Sequence, residues 1–534
     1  MKILIIGLDA ATMDLVEPWS SSGQLPNLAR LIREGASGRM LSTPNMHSAS
    51  AWTSILTGLN PGRHGLFVFS DRDFVTGKQV FFKGGDRIGE LIDAHLSRSG
   101  LTSGFLNVPM TYPARCQPGG FMISGLDAPS LNDRAFSPAE LRAEIFDRSP
   151  SYAFSPPDLG EMMRAGRLED AVKAWLDLIE IQTAAAEYLI ETRPTDFFMT
   201  VYTASDWGGH NLWNDLSGST GENPLLKIYR ELDTAIGRLL EKANAANVFV
   251  ISDHGMGAHT GASYHLAEWL ELNGYMTRSG RTQPRHSIIS ASRRVARSLL
   301  PESVKEIVKS RIGLERVERL QSSEKDSFYS SVDWARTRAY TEPGRHVINI
   351  NLKGRNPDGI IPQSDYLEVC ERIIDDLNLW RDDRGERVVE RVVRRDEVYH
   401  GPFSARASDL HVYWNSAARF EVPPQEVQDR GFWWTGDHRP EGILICKGES
   451  VKPTRFREMP TVCDLLPTVM YATGLSIPKN LDGNVVREVF SREFLEKNLV
   501  RFESSAASDV GDEVRLSAEE EKIVEEKLRG LGYL

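Results

Sequence analysis

The segment Lys2-Ile3-Leu4-Ile5-Ile6-Gly7-Leu8-Asp9 begins the chain with an apolar run that ends at a carboxylate. A short β-rich run of this kind is typical of a buried strand. Similar runs recur at 103–108, 196–202, 247–252, 346–351 and 442–446, between stretches with helical spacing at 25–34, 165–192, 223–245 and 518–529. Strands that alternate with helices predict an α/β fold, with a mostly parallel central sheet and helices on both faces.

Carboxylates follow three of the predicted strands. Asp9 ends the first run, Asp206 comes shortly after the run at 196–202, and Asp253 directly follows the run at 247–252. Open α/β sheets bind ligands outside the carboxyl ends of their strands. We therefore expect the three carboxylates to meet at one edge of the sheet.

Two of these carboxylates are accompanied by an imidazole. Asp206 and His210 are four positions apart, so one helical turn places both side chains on one face, where they can chelate one ion. Asp253 and His254 are adjacent, and they can bind one metal only if the strand has ended and the backbone turns there. Gly255 and Gly257 make such a turn easy.

A third imidazole, His438, lies in Thr435-Gly436-Asp437-His438-Arg439-Pro440, directly before the run at 442–446. The bounding glycine and proline predict a loop. An isolated loop histidine is usually a surface residue, so a role for His438 depends on the other motifs. Carboxylates, imidazoles and a hydroxyl together are what a two-metal phosphoryl-transfer site requires.

Ser48 is the candidate hydroxyl. Residues 49–57 have helical spacing and are followed by Gly58, a good C-terminal stop, which places Ser48 near the N-terminus of a helix. Free backbone amides and the positive helix end at that place favour an anionic alkoxide and a phosphoryl group. Most serines before a helix are simple caps, and Ser50 and Ser54 compete with Ser48 on the same argument.

The bulk composition sets limits on function. The chain has 534 residues, 41% hydrophobic content and a net charge of −11, which argues against a nucleic-acid binder that neutralises phosphates. No apolar stretch reaches the roughly 18 residues that cross a bilayer, and we expect a cytoplasmic protein without a transmembrane segment. The cysteines form no CxxC pair and are expected to be buried thiols; they are Cys116, Cys370, Cys446 and Cys463.

Taken in order, these motifs resemble the alkaline phosphatase superfamily, in the branch of type I phosphodiesterases, nucleotide pyrophosphatases and predicted phosphohydrolase or phosphomutase relatives. The resemblance covers nearly the whole chain, and further segments match that branch. They are Asn107-Val108-Pro109-Met110-Thr111-Tyr112-Pro113, Ile350-Asn351-Leu352-Lys353-Gly354-Arg355, Asp464-Leu465-Leu466-Pro467-Thr468, Leu481-Asp482-Gly483 and Leu531-Gly532-Tyr533.

The resemblance implies a metal-dependent phosphohydrolase with an alkaline-phosphatase-like sheet and two divalent ions, Zn²⁺ first and Mn²⁺ next. One ion would be held by Asp206, His210 and His438 and the other by Asp9, Asp253 and His254. Ser48 would bridge the ions as the nucleophile, because it lies at the same distance before the Thr57-Gly58 pair as the nucleophilic threonine of the related phosphodiesterases. His64 would be structural.

The sequence departs from the family pattern in one place. Where type I phosphodiesterases carry an asparagine that helps to bind the phosphoryl oxygen, this chain has Phe69. The choice between monoester and diester therefore stays open. A phosphomutase that uses the same phosphoserine, and a noncatalytic protein that retains the metals, are the alternatives. The absence of the Cys-x-Pro-x-Arg pattern argues against a sulfatase.

The expected substrate is a small phosphorylated compound, and candidate contacts to it are Asn107, Thr111, Tyr112, Lys353 and Arg355. We predict a discontinuous catalytic core at 1–274 and 343–495. A basic helical insertion or cap is predicted at 275–342, because basic residues accumulate between 277 and 319. A linker and a C-terminal helix follow at 496–534, where Ser517 and Glu520 form a predicted capping box.

Overall fold

The computed structural model describes residues 1–72, 79–216, 223–279, 328–420, 434–504 and 516–531. Its strands are β1 (Ile3–Leu8), β2 (Ala36–Leu41), β3 (Ser70–Arg72), β4 (Gln79–Phe81), β5 (Ser103–Val108), β6 (Phe121–Ser124), β7 (Phe136–Ser137), β8 (Phe197–Tyr202), β9 (Asn247–Ile251), β10 (Gly255–Ala258), β11 (Ala339–Tyr340), β12 (Val347–Ile350), β13 (Val389–Arg394), β14 (Leu410–Trp414), β15 (Gly436–Arg439), β16 (Glu441–Gly448), β17 (Thr454–Arg455), β18 (Ile477–Pro478) and β19 (Phe502–Glu503).

Its α-helices are α1 (Met13–Ser21), α2 (Pro26–Glu34), α3 (Ser48–Thr57), α4 (Pro61–His64), α5 (Ile92–Arg98), α6 (Leu141–Arg148), α7 (Leu159–Arg164), α8 (Leu168–Thr192), α9 (Ala204–Leu212), α10 (Pro224–Ala243), α11 (Ala262–Leu272), α12 (Tyr366–Leu379), α13 (Arg395–Val398), α14 (Leu465–Ala472), α15 (Arg492–Lys497) and α16 (Ala518–Leu531). Short 3₁₀-helices lie at Gly84–Asp86, Asp133–Ala135, Trp213–Leu216, Gln363–Asp365, Ser404–Arg406, Val462–Asp464 and Arg487–Val489.

The central sheet has the strand order β17-β2-β16-β9-β1-β8-β5-β6-β7. Neighbours from β9 to β6 are all parallel, as are β17 and β2, whereas β16 and β7 run antiparallel to the strands beside them. The predicted mostly parallel sheet is therefore confirmed. Because β1 lies between β9 and β8, the carboxyl ends of these three strands meet at one edge.

Two apolar cores cover the faces of this sheet. Ile3 and Ile5 of β1 pack on one face, with α3, α5 and α14, while Leu4, Ile6 and Leu8 pack on the other, with α1, α2, α8 and α10. All six residues of β1 are buried. Burial on both sides explains why the run is continuously apolar instead of alternating.

A separate antiparallel sheet, with the order β11-β12-β14-β13, has a core of its own together with α11 and α12. The expectation that the run at 346–351 belongs to the parallel central sheet is therefore wrong. Ile348 and Ile350 are buried, whereas Val347 and Asn349 are half-buried. This alternation is typical of an antiparallel strand with one covered face.

The predicted insertion at 275–342 lies largely outside the described residues, and its described ends belong to the core of the second sheet. At the C-terminus, α16 begins with the predicted capping box: Ser517 N donates to Glu520, and Glu520 N donates to Ser517 Oγ. The predicted linker falls mostly on residues beyond the described ranges.

Within the described ranges, no helix combines the length and apolar character needed to cross a membrane. The four cysteines are free thiols, of which Cys370 and Cys446 are buried.

Candidate active site

Ser48 is the first residue of α3 and is fully buried. Gly58 adopts φ 66° and ends the helix, as the sequence predicts. The expectation of free amides is wrong for the first turn: Ala49 N donates to His47 Nδ1, and Ser50 N donates to the His47 carbonyl. The helix therefore contributes the positive end of its dipole at Ser48, with these two amides already satisfied.

Asp206, His210 and His438 form a first cluster. His210 Nε2 and His438 Nε2 each lie 3.3 Å from Asp206 Oδ1, and the two Nε2 atoms are 2.9 Å apart. Asp206 and His210 lie one turn apart on α9, as their spacing predicts. His438, in contrast, lies on β15, paired with β10. The prediction of a loop at His438 is therefore wrong.

The imidazoles of this cluster are oriented by backbone carbonyls. His210 Nδ1 lies 3.0 Å from Gly436 O, and His438 Nδ1 lies 2.7 Å from Met46 O. Because a carbonyl can only accept, each Nδ1 bears the proton and each Nε2 presents a lone pair. When both rings are neutral, these lone pairs lie 2.9 Å apart and repel each other, and a bound cation would relieve that repulsion. A Cβ at Gly436 would lie 2.1 Å from Gly209 O, so only glycine allows this approach of β15 to α9.

Asp9 and His254 lie beside the Ser48 hydroxyl in a second cluster, and Asp253 joins this cluster through His254. Ser48 Oγ lies 3.1 Å from His254 Nε2 and 3.5 Å from Asp9 Oδ1. His254 Nε2 lies 3.3 Å from Asp253 Oδ2 and 3.8 Å from Asp9 Oδ1. Ligand atoms of Asp9, Asp206 and His254 all lie within 4.8 Å of one another. The Asp206 carboxylate therefore contributes to both clusters.

Nearby donors fix the carboxylates of the second cluster. Trp52 Nε1 donates to Asp9 Oδ2 over 3.1 Å, and Ala10 N donates to Asp253 Oδ1 over 3.2 Å. A Cβ at Gly7 would lie 2.6 Å from the Trp52 ring, so glycine at this position allows the indole to reach Asp9. The contact of Trp52 with Asp9 is not predictable from the sequence, because a tryptophan in an apolar helix normally indicates only a core residue.

Gly255 and Gly257, which follow His254, do not form the predicted turn. Gly255 and Gly257 lie in β10, and neither has a positive φ. The turn that lets adjacent side chains share a site comes earlier, where β9 ends at Ile251 and β10 begins at Gly255. His254 Nδ1 lies 3.1 Å from the Gly255 carbonyl, so its Nε2 also presents a lone pair to Ser48.

The pKa values of two carboxyl groups in the site, Asp9 and Asp206, are shifted in opposite directions. Burial, then Asp253 and Asp206, raise the pKa of Asp9 well above its ordinary value. Burial also acts on Asp206, but His210 and His438 outweigh it and hold the pKa of Asp206 well below its ordinary value. A divalent cation would relieve the repulsion that raises the first pKa. The donor types, the tautomers and the excess of acid groups all fit metal ions.

The sequence profile of the type I phosphodiesterase / nucleotide pyrophosphatase family matches residues 3–433. The chain belongs to this family. It is therefore a phosphoric ester hydrolase. The match runs from β1 through the second sheet and includes all the residues of both clusters except His438.

Several solved structures are similar to this chain at low sequence identity, and those with a TM-score above 0.5 share its fold. The alkaline phosphatase PafA is 13% identical, with a TM-score of 0.53 over 92% of this chain and 98% of that chain. Phosphonoacetate hydrolase from Sinorhizobium meliloti 1021, in complex with phosphonoformate, is 14% identical, with a TM-score of 0.51 over 88% and 95%. Murine ectonucleotide pyrophosphatase / phosphodiesterase 5 is 11% identical, with a TM-score of 0.48 over 92% and 100%. A comparison with curated proteins gave no match.

Ser50 and Ser54, the alternative candidates for the nucleophile of this phosphodiesterase family member, form hydrogen bonds away from the two clusters. Ser50 Oγ lies 2.8 Å from Asn45 Oδ1 and 2.9 Å from the His47 carbonyl. Ser54 Oγ lies 3.0 Å from His64 Nε2, at a distance of two helical turns from Ser48. These contacts favour Ser48 as the hydroxyl of the site.

Phe69, at the position of the family asparagine, is buried and makes an edge contact with the His47 ring, with centroids 5.2 Å apart. An aromatic ring offers no amide donor to a phosphoryl oxygen. Phe69 therefore supplies no such donor beside the residue that precedes Ser48.

The candidate substrate contacts near β5 are mostly engaged in the core. Tyr112 is fully buried, and its hydroxyl accepts a hydrogen bond from Asn132 Nδ2 over 3.3 Å. Thr111 Oγ1 donates to Val108 O. Asn107 has φ 60°, accepts from the Tyr152 hydroxyl and is 5% exposed, and its Nδ2 donates to no other described residue.

The two candidate contacts that follow β12, Lys353 and Arg355, have different surroundings. Arg355, in the turn that follows β12, forms a bidentate ion pair with the buried Asp409, at 2.8 and 2.5 Å. Lys353 is exposed. No contact between described residues joins either side chain to the Ser48 cluster, and Arg355 has a structural role in holding β14.

Replacing Asp253 with asparagine is expected to stabilise the metal-free protein above about pH 6 by roughly 1–3 kcal/mol. Burial, and then the Asp206 carboxylate, raise the pKa of Asp253 from 3.8 to about 6. The stabilisation that comes from the protonated carboxyl is complete below about pH 4 and is lost as the pH rises through about 6. Asparagine cannot ionise and keeps the acceptor for Ala10 N.

Urea unfolding of the chelator-treated wild-type and Asp253→Asn proteins checks this prediction. The two free energies of unfolding should be alike at about pH 4 and should differ at about pH 8. A variant that is no more stable than the wild type at the higher pH contradicts the prediction.

Proposed function

We propose that this chain hydrolyses phosphate monoesters or diesters through a phosphoserine intermediate on Ser48 at a two-metal site. The observation that supports the proposal is the position of Ser48 Oγ, which lies 3.1 Å from His254 Nε2 and 3.5 Å from Asp9 Oδ1 at the N-terminus of α3. A hydroxyl in this place lies beside ligand-type atoms of Asp9 and His254, which are themselves within 4.8 Å of a ligand atom of Asp206.

We assign one ion to Asp206, His210 and His438 and the other to Asp9, Asp253, His254 and Ser48. Mixed carboxylate and imidazole ligands favour Zn²⁺, with Mn²⁺ as the next candidate. When bound, two divalent ions lower the pKa of the serine hydroxyl and stabilise the negative charge on the phosphoryl oxygens.

Ser48 would act in two displacement steps. In the first, Oγ forms a bond to phosphorus while the bond from phosphorus to the ester oxygen breaks, which gives phosphoserine and a free alcohol. In the second, a water oxygen bonds to phosphorus and the bond to Oγ breaks, which returns Ser48 and gives phosphate or a phosphate monoester. Two in-line steps retain the configuration at phosphorus.

Access to the site favours a small phosphorylated substrate. Ser48, Asp9 and His254 are fully buried, whereas 14% of the His438 side chain is exposed. A phosphoryl group would therefore approach from the His438 side, which is where β15 meets the second sheet through His346 and Asp437. The substitution at Phe69 removes one donor from the phosphoryl site of the family, so the ester type has to be measured.

The test is the ratio of diesterase to monoesterase rates on paired nitrophenyl substrates, with added Zn²⁺ or Mn²⁺. We expect metal-dependent release of nitrophenol from at least one substrate, and no release by Ser48→Ala. Dominant diester cleavage would identify a phosphodiesterase despite Phe69, and dominant monoester cleavage would identify a phosphatase.

The acceptor of the phosphoryl group distinguishes hydrolysis from the phosphomutase alternative. Hydrolysis releases free phosphate or free alcohol, whereas a mutase returns the phosphoryl group to another oxygen of the same substrate. Isomer formation from a sugar phosphate, without free phosphate, would contradict our proposal. Metal-loaded protein that turns over none of these substrates would favour the noncatalytic alternative.

A further inference from the structure

Asp437, directly before His438, is a buried carboxylate with a defined set of donors. Its Oδ1 accepts from His438 N over 3.0 Å and lies 3.0 Å from His346 Nε2. The side chain is 5% exposed. Asp437 therefore fixes the main chain of His438 from one side, while Met46 O holds the His438 ring from the other.

The second sheet determines the orientation of His346. Trp414 Nε1, at the end of β14, donates to His346 Nδ1 over 2.8 Å. Because an indole nitrogen can only donate, His346 Nδ1 is the acceptor and Nε2 bears the proton. His346 Nε2–H thus donates to Asp437, the reverse of the tautomer of His210 and His438. The Trp414 ring is itself 5% exposed and packs edge-on against Trp380.

A second histidine approaches the other oxygen of the same carboxylate. His259 Nε2 lies 3.6 Å from Asp437 Oδ2, and Gly261 N donates to His259 Nδ1 over 2.9 Å. The proton is therefore on Nε2 here as well. Two protonated Nε2 atoms offer no lone pair to an ion, and the metal-type clusters within the described residues lie elsewhere. The hydrogen bond from His346 to Asp437, with the His259 ring nearby, is therefore a support for His438 and not a further metal site.

We propose that His346 is a positioning residue that works through Asp437 to hold His438 in the geometry that binds the first ion. The proposal rests on the assignment of His438 as a metal ligand in the proposed function. It means that the core of the second sheet, through Trp414, sets the affinity of the site for metal. Residues that hold a metal ligand in place typically change metal affinity by about 10–100-fold when they are replaced.

The test compares His346→Phe, which keeps a ring but removes the donor, with His346→Gln, which can place an amide donor near the former Nε2. The dissociation constants of Zn²⁺ and Mn²⁺ are measured on the full chain by competition with a chromogenic chelator. We expect the phenylalanine variant to bind about 10–100-fold more weakly, and the glutamine variant to stay within about threefold of the wild type. Thermal unfolding of the metal-free variants should be alike.

Several outcomes would overturn the proposal. Wild-type affinity in His346→Phe would do so, as would equal weakening in both variants together with equally lowered metal-free unfolding temperatures, since that pattern indicates packing alone. If His346→Phe does not fold, Trp414→Phe replaces it, because this change removes the donor that fixes the His346 tautomer. Wild-type affinity in Trp414→Phe would likewise overturn the proposal.

A further variant distinguishes failure of this inference from failure of the proposed function. His210→Ala removes a proposed ligand directly and should abolish binding of one ion. If the wild type and His210→Ala bind metal equally, the metal assignment itself is wrong and the inference fails with it. If they differ while His346→Phe matches the wild type, only the inference fails.

Discussion

Replacing Ser48 with alanine is expected to lower kcat for phosphate ester hydrolysis by roughly 10⁴-fold or more, the usual cost of removing a covalent nucleophile. Ser48 Oγ is the hydroxyl that contacts both His254 and Asp9. Alanine keeps the helix and removes only one proposed ligand of the second ion, while Asp9, Asp253 and His254 remain, so both ions should still bind, the second more weakly. Steady-state rates and metal analysis of the same preparations measure both quantities.

Two serines on the same helix provide matched controls. Ser50→Ala and Ser54→Ala remove hydroxyls that bond to Asn45 and His64, respectively. Each should keep activity within about tenfold of the wild type, since neither hydroxyl reaches the ligand clusters. An activity loss in Ser50→Ala that equals the loss in Ser48→Ala would contradict the choice of nucleophile.

Asp206→Asn is expected to have the second largest effect, with a loss of roughly 10³-fold in kcat/KM and of at least one bound ion. Asp206 Oδ1 lies 3.3 Å from both His210 Nε2 and His438 Nε2, and the carboxylate also lies within 4.8 Å of Asp9 and His254. A neutral amide removes the charge that both clusters use. Metal analysis after gel filtration gives the number of bound ions.

Asp233→Asn is the matched control for this change. Asp233 is a buried carboxylate that accepts hydrogen bonds from Asn27 N and Leu28 N, away from both clusters. Its amide variant should keep both ions and the wild-type rate, even if it unfolds at a lower temperature. Retention of both ions by Asp206→Asn would contradict the assignment of the first site.

The sequence was sufficient for the parts of the site that depend on local structure. The apolar run before Asp9 predicts β1, and the four-residue spacing of Asp206 and His210 predicts their common face on α9. Both follow from hydrogen bonding and periodicity within a few residues of the chain. The placement of Ser48 at the start of α3 depends on the same local rules.

The parts that depend on distant pairing were not predictable. β15 pairs with β10, about 180 positions away, and neither strand has the apolar alternation that signals a sheet. Glycines in both strands resemble turn residues in sequence, although they permit close backbone approach. The support of Asp437 by His346 also joins residues that are 91 positions apart. No local pattern distinguishes such histidines from surface residues.

The proposed hydrolysis depends on a covalent phosphoseryl intermediate on Ser48. The most direct measurement is mass spectrometry of the peptide that contains Ser48, after metal-loaded enzyme is mixed with substrate and quenched in acid within one turnover. We predict phosphate on Ser48, absent from Ser48→Ala and from enzyme treated with chelator. Rapid turnover with no phosphate on Ser48 during the reaction, or with phosphate on Ser50 instead, would contradict the claim.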